Sequence, residues 1–139
     1  MLLHAKTGTV AINAIDPLSV RDLLPKSKLL SHPEFNLQIA HTLESTRVLR
    51  NIGFDVPAPI QSTYRWPGKY KPFTHQRTMA DFLTMNRRCL NLSEMGVGKS
   101  AAALWAADWL METGRVKKCV ILSPLSTLDR VWAHDIFDV

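Results

Sequence analysis

The sequence predicts an α/β protein, a small N-terminal α+β module followed by the incomplete opening of a parallel-sheet lobe built around a glycine loop. Three observations predict it. Residues 1–55 alternate short strand-like and helix-like patterns, each with its own turn or cap signal. Four prolines then fall within the 17 residues of "VPAPIQSTYRWPGKYKP", 56–72. Beyond them, "NLSEMGVGKS" stands between a short apolar run and an alanine-rich segment, with a second apolar run after that.

In the first part, "LLHAKTGTVAINAI" reads as two strands around the Lys6-Thr7-Gly8 turn, Val10 and Ile12 on one face and Ala11 and Asn13 on the other. "DPLSVRDLL" reads as a helix with Asp16 at its cap and Pro17 at its first position, where proline's missing N–H costs nothing. "FNLQIA" alternates Phe35, Leu37 and Ile39 with Asn36 and Gln38, a strand period. "TLESTRVLRNIG" reads as a helix capped by Thr42, with Leu49 and Ile52 among its apolar contacts and Gly53 as its stop. The proline-rich, basic stretch 56–72 excludes a regular helix and reads as a linker.

Residues 73–139 read as the first, truncated part of a second lobe. "THQRTMADFLTMN" spaces Met79, Phe82 and Leu83 on one helical face, with Thr74 as cap. "CLNL" and "KCVILS" read as short buried strands, and "KSAAALWAADWLMETG" as the helix between them, stopped by Gly114. Strand, glycine loop, helix, strand is one βαβ unit, with a right-handed crossover and parallel strands. "STLDRVWAHDIFDV" closes with a helix on which Ser126 and Asp129 resemble a capping box.

Composition narrows the function classes. Apolar residues make up 46% and charged residues 21% of the 139, enough for a buried core. No apolar run approaches the ~20 residues of a membrane span, and "MLLHAKTGTV" lacks the order of a secretory signal. These features predict a cytoplasmic protein without a membrane. Cys89 and Cys119 lie in the two apolar runs without a CxxC partner, and read as reduced core residues. His4, His32, His41, His75 and His134 share no metal-ligand spacing. The net charge is +5, and residues 61–90 alone carry a balance of +5, from Arg65, Lys69, Lys71, Arg77, Arg87 and Arg88 against Asp81. Such a segment is either a solvated face or an attractor of polyanions.

The glycine loop has its own chemistry. Polyphosphate binding needs backbone N–H groups converging on an anion at a helix N-terminus, and glycines let the main chain curl closely around it. Gly96 and Gly98 supply the curl, and the helix beginning near Lys99 supplies the positive dipole end. Lys99 would reach the β and γ phosphates, and the Ser100 hydroxyl would ligate Mg²⁺. The pattern G-x-x-x-x-G-K-[ST] asks for glycine at 93, where this chain has Ser93.

"SEMGVGKS" resembles the D-E-M-G-L-G-K-T loop of Swi/Snf-type ATPases, the DNA-translocating branch of helicase superfamily two, whose leading residue is not glycine. "PFTHQ", with Gln76 seventeen residues before Ser93, resembles the family's proline-aromatic-x-x-glutamine signature. "ILSPLSTLDRVWAHDI" resembles its next motif, a strand ending in P-x-S-L with a tryptophan after it. The resemblance covers about half the chain, residues 72–139. It implies a RecA-like lobe of the DEAD/DEAH type that binds ATP and Mg²⁺ through Glu94, Met95, Gly96, Val97, Gly98, Lys99, Ser100 and Ala101, with Gln76 reading the adenine edge. It implies nucleic-acid contacts, to double-stranded DNA, from Ser123, Pro124, Ser126 and Thr127. Arg87 and Arg88 would join them if the DNA crosses that edge. Residues 1–55 look loosely like small modules preceding phage-encoded members, which would place the protein in a host cytoplasm. The family's D-E-x-H motif is missing, since no two carboxylates are adjacent anywhere in the 139 residues. Its second lobe with arginine fingers is missing too, so the resemblance implies ATP binding with poor hydrolysis by this chain alone.

Four tryptophans complete the inventory. Trp105 and Trp109, at i and i+4, read as helix core, and Trp132 likewise. Trp66, in the basic proline-rich stretch, is the candidate for stacking on a nucleobase or for packing the two parts together. A non-enzymatic nucleic-acid-binding module with a remnant loop competes with the ATPase reading. A small-molecule P-loop kinase has no place for Gln76 or for P-x-S-L.

Overall fold

The computed structural model describes residues 1–4 and 7–138. The chain divides into two units, Met1–Thr63 and Tyr64–Val139, so the division falls inside the proline-rich stretch.

The first unit is a four-stranded antiparallel sheet with helices. Strands β1 (Leu2–His4) and β2 (Thr9–Ile12) form the predicted hairpin, helix α1 spans Pro17–Leu23, strands β3 (Lys28–Leu29) and β4 (Leu37–Ala40) follow, and helix α2 covers Leu43–Asn51. The strand order is β1-β2-β4-β3. Lys6 of the predicted turn lies outside the described residues, while Gly8 takes the positive φ of 58° that the turn requires. Register places Val10 opposite Ile39 and Ile12 opposite Leu37, and the period of two puts all four on one face. They are buried with Ala14, Val20, Leu49 and Val56. Each such aliphatic side chain contributes about 1.5–3 kcal/mol by leaving water. Asn36 extends the ladder sideways: its carboxamide accepts from Ala14 N at 2.9 Å and donates to Ala14 O at 2.7 Å.

Both helix caps are those the sequence predicts. Asp16 accepts from Leu18 N and Ser19 N, with Pro17 at the first position. The Ser19 hydroxyl, then the Ser19 and Leu18 amides, hold the Asp16 carboxyl below the ordinary aspartate value despite some desolvation. Thr42 accepts from Ser45 N at 3.2 Å, and Ser45 Oγ returns the bond to Thr42 N at 2.9 Å, closing a capping box with serine in place of Glu or Gln. Gly53 ends the helix at φ 95°. Ile52 departs from expectation: it falls on the C-cap and is exposed, so Leu49 alone of the pair packs into the core.

The proline-rich stretch is packed at its start and at Tyr64, Trp66 and Pro72, while Arg65 and residues 67–71 are exposed. Val56, Ala58 and Ile60 are fully buried, and residues Ile60–Thr63 make one helical turn, α3. Prolines at 57 and 59 sit before that turn, where a missing N–H is harmless.

In the second unit, helices α4 (Thr74–Met85) and α5 (Lys99–Glu112) pack on each other. Ala102, Trp105, Ala106 and Trp109 form the buried stripe of α5 at i, i+3, i+4 and i+7. Gly114 follows at φ 68°, the expected stop. The α4 face differs from the predicted one. Ala80, Thr84 and Met85, at i, i+4 and i+5, are buried and Phe82 is exposed, so the inward stripe is centred about one residue on from Met79 and Leu83, which are half-buried. Thr74 is the first helical residue rather than the cap. The cap position is Phe73, whose N–H donates to Gln76 Oε1 at 2.9 Å.

The two predicted buried strands, 89–92 and 118–123, carry no ladder among the described residues, and Leu90, Leu92, Val120 and Leu122 are all at least 80% exposed. A strand exists by pairing, and no other described segment pairs with either. Cys119 is accordingly exposed and Cys89 half-buried, not core residues, and both are free thiols. The last segment is not one capped helix: α6 (Leu125–Thr127) runs into a π-helical turn, Leu128–Ala133, and then α7, His134–Asp138. The Ser126/Asp129 box does not form, since Pro124 occupies the cap position and its carbonyl accepts from Thr127 Oγ1 at 2.9 Å. Trp132 is half-buried rather than core. No helix among the described residues is long and apolar enough to cross a membrane.

Candidate functional site

The glycine loop, residues 93–98, leads directly into α5. Gly96 and Gly98 both have positive φ, 80° and 77°, and Gly98 is the N-cap of the helix. Side chains rarely tolerate this backbone, which explains glycine at both positions. The first i→i−4 bond runs from Ala102 N to Gly98 O at 3.1 Å. The amides of Lys99, Ser100 and Ala101 therefore lie ahead of the helical ladder, where the helix presents partial positive charge. Lys99 and Ser100 are half-buried, whereas Glu94 and Met95 are exposed on the outer side.

Lys99 folds back over the loop. Its Nζ donates to Ser93 O at 2.8 Å and to Glu94 O at 2.6 Å. The ammonium is thereby held over the curl by carbonyls that it can exchange for stronger, charged acceptors. Ser93 itself turns on Asn91, whose Oδ1 accepts from Ser93 N at 3.1 Å and from Ser93 Oγ. These bonds make an Asx-type turn at position 93, where the backbone keeps an ordinary negative φ.

Helix α4 delivers two side chains to the loop. Gln76, fixed by its bond to Phe73 N, lies against Gly98, where a built Cβ would come within 2.0 Å of Gln76 Nε2. Gly98 is thus favoured chiefly by its φ, and a side chain there would also have to displace the end of Gln76. His75 places Nε2 3.1 Å from Val97 O. A carbonyl only accepts, so Nε2 carries the proton. The Phe73 ring stacks on His75 at 5.7 Å and 10°. Asn91 does not stand out in the sequence; His75, adjacent to Gln76, reads there as a nucleotide contact or as a plain helix-start residue, and its bond to Val97, 22 residues on, has no motif spacing to announce it.

The other expected contact residues lie elsewhere in the unit. Ser123, Pro124, Ser126 and Thr127 cluster at the start of α6, with Ser123 Oγ and Thr127 Oγ1 2.6 Å apart. Ser126 and Pro124 are exposed. Arg87 and Arg88 are exposed just beyond α4.

Trp66 is 5% exposed and so has no face free for a nucleobase. It packs edge-on to Tyr64 and Trp105, at 5.2 and 5.8 Å, under the Arg77 guanidinium at 5.4 Å. It takes a positive φ of 53°, rare for a large side chain. Tyr64 Oη donates to Asp108 Oδ2 at 2.6 Å. Burial of the phenol, and then the Asp108 carboxylate beside it, raises the Tyr64 hydroxyl above the ordinary tyrosine value, so it stays a donor. Beside this cluster a cleft of about 390 Å³, mostly apolar, is lined by Trp105, Asp108, Met111, Cys119, Ile121 and Ile136 among others. It holds no loop residue.

Among the described residues no three His, Cys, Asp or Glu side chains come together to hold a metal ion. Asp135 lies on α7 and Asp138 pairs with His134 at 3.2 Å on the same helix. Comparison with protein families, with curated proteins and with solved structures finds no match to this chain.

Proposed function

We propose that the glycine loop binds ATP with Mg²⁺, and that the chain is the N-terminal part of a Swi/Snf-like, DNA-dependent ATPase or helicase-like translocase. The observation that carries this reading is the positive-φ pair Gly96 and Gly98 at the head of α5, with Lys99 Nζ held over the curl. In the proposed complex the amides from Gly98 to Ala101 receive the phosphates, Lys99 transfers its donors from Ser93 and Glu94 to the β and γ oxygens, and Ser100 takes one Mg²⁺ position. Gln76, already beside Gly98, faces the adenine edge. The two exposed apolar segments, 89–92 and 118–123, would be the first strands of the P-loop, RecA-like sheet.

Hydrolysis by these 139 residues is expected to be slow. They contain no adjacent carboxylates to hold Mg²⁺ and orient water, and an arginine finger alone is worth about 10³–10⁵ in rate. Motor action on double-stranded DNA needs the remaining helicase lobes or another protein, in the host cytoplasm if the protein is phage-encoded. Calorimetric titration with Mg·ATP tests the reading: wild type binds and Lys99→Ala does not. Equal affinity of the two proteins would refute it.

A second reading rests on a different observation. Arg65, Lys69, Lys71, Arg77, Arg87 and Arg88 are all exposed. As a non-enzymatic nucleic-acid-binding module, the chain would bind DNA through this segment, with steep salt dependence and indifference to ATP. A DNA titration without a salt-sensitive shift removes it.

A further inference from the structure

We propose that His75 is a positioning residue that orients the Val97–Gly98 peptide so that the Gly98 N–H faces the bound phosphates; this rests on the phosphate-binding reading of the loop. The peptide ends on a residue with unusual freedom. Gly98 carries a positive φ of 77°, so sterics alone do not fix the plane between Val97 and Gly98. Rotating that plane changes ψ of Val97 and φ of Gly98, and glycine accepts either sign of φ at little cost. Something else must choose.

The His75 imidazole makes the choice. Its Nε2–H donates to Val97 O at 3.1 Å, drawing the carbonyl toward the N-terminal turn of α4. The peptide is trans, as no cis bonds occur, so the Gly98 N–H points the opposite way from the carbonyl. With the carbonyl drawn to His75, the N–H is turned away from α4. On this proposal it joins the amides of Lys99, Ser100 and Ala101, which precede the helical ladder at the head of α5. In the flipped state the carbonyl would take that place and present a partial negative charge to the phosphate.

Two further contacts hold His75 where it can act. The Phe73 ring stacks nearly parallel on the imidazole, and the next residue, Gln76, is fixed between Phe73 N and Gly98. Helix α4 thus grips the loop at two adjacent residues, Gln76 by packing and His75 by a hydrogen bond. The bond is exposed, so its effect on folding is small while its effect on the amide's direction is not.

Three proteins decide it: the full chain, His75→Ala and His75→Gln, with Mg·ATP, tripolyphosphate and adenosine as titrants. His75→Ala is expected to weaken Mg·ATP and tripolyphosphate about 3- to 10-fold, the worth of one net hydrogen bond. Adenosine binding and the melting temperature should not move. His75→Gln, which keeps an N–H donor, should recover at least part of the loss. In ¹⁵N spectra the Gly98 amide of His75→Ala should shift and broaden, as expected for a peptide sampling both orientations. Unchanged phosphate affinity in His75→Ala overturns the proposal, as does an equal loss for adenosine. If wild type binds neither Mg·ATP nor tripolyphosphate, the phosphate-binding reading itself fails, an outcome distinct from loss confined to the His75 variants.

Discussion

The two units of this chain satisfy their apolar residues in opposite ways. In the first, each strand has a ladder, and Val10, Ile12, Leu37 and Ile39 meet α1 and α2 in a closed core. In the second, the core is aromatic and helical, centred on Trp66, Trp105 and Trp109, while apolar segments at 89–92 and 118–123 remain exposed and unladdered. Similar residue types therefore carry different energetic weight. A leucine stabilises only where neighbours exclude water from it.

Replacing one residue in each unit breaks or sharpens that contrast. Leu49→Ala, in the closed core, should cost about 2–5 kcal/mol in urea denaturation. Leu92→Ala, on the open segment, should stay within about 0.5 kcal/mol. Similar losses at both positions would mean that the second unit's apolar segments are covered in solution. The next largest effect belongs to Tyr64→Phe. Deleting the donor leaves the Asp108 carboxylate without it, and a bond to a charged group is worth about 1.5–3 kcal/mol. A thermal melt of the variant checks this. Thr42→Ala removes one half of the α2 capping box and should cost about 1 kcal/mol, measured the same way.

The smallest effect is a pH dependence at the α1 cap. Asp16 has a lowered carboxyl pKa in the folded state. Its contribution is therefore complete above the unfolded value and disappears as pH falls through the lower, folded value. An acid titration of stability should show this loss in wild type and lack it in Asp16→Asn. An identical acid limb in both proteins would contradict the assignment.

Local chemistry made much of this legible from sequence. Asp16, Pro17, Thr42, Gly53 and Gly114 mark helix ends by capping and by φ, which depend on a few neighbouring residues. The loop was equally legible, since Gly96, Gly98 and Lys99 sit at the head of a helix whose start the glycines set. What depends on distant partners was not. Strand β3 is two residues long and exists only because β4 pairs with it. Residues 89–92 and 118–123 look like strands by composition, but nothing in composition supplies a pairing partner. Trp66, among polar and proline-rich chain neighbours, reads equally as a base-stacking or a packing residue, and only the placement of Tyr64, Arg77 and Trp105 around it shows that it is enclosed. His75 reads in the sequence as a helix-start residue or a nucleotide contact beside Gln76, and its bond to Val97 is reached only once α4 lies beside the loop.

The central claim is that phosphate is held at the head of α5, and amide mapping tests it most directly. The full chain is titrated with Mg·ATP while ¹H–¹⁵N spectra are recorded. The account predicts the largest shifts at Gly96, Gly98, Lys99, Ser100 and Ala101, absent in Lys99→Ala. Shifts confined to the basic residues between 61 and 90, or no shifts at all, would contradict it.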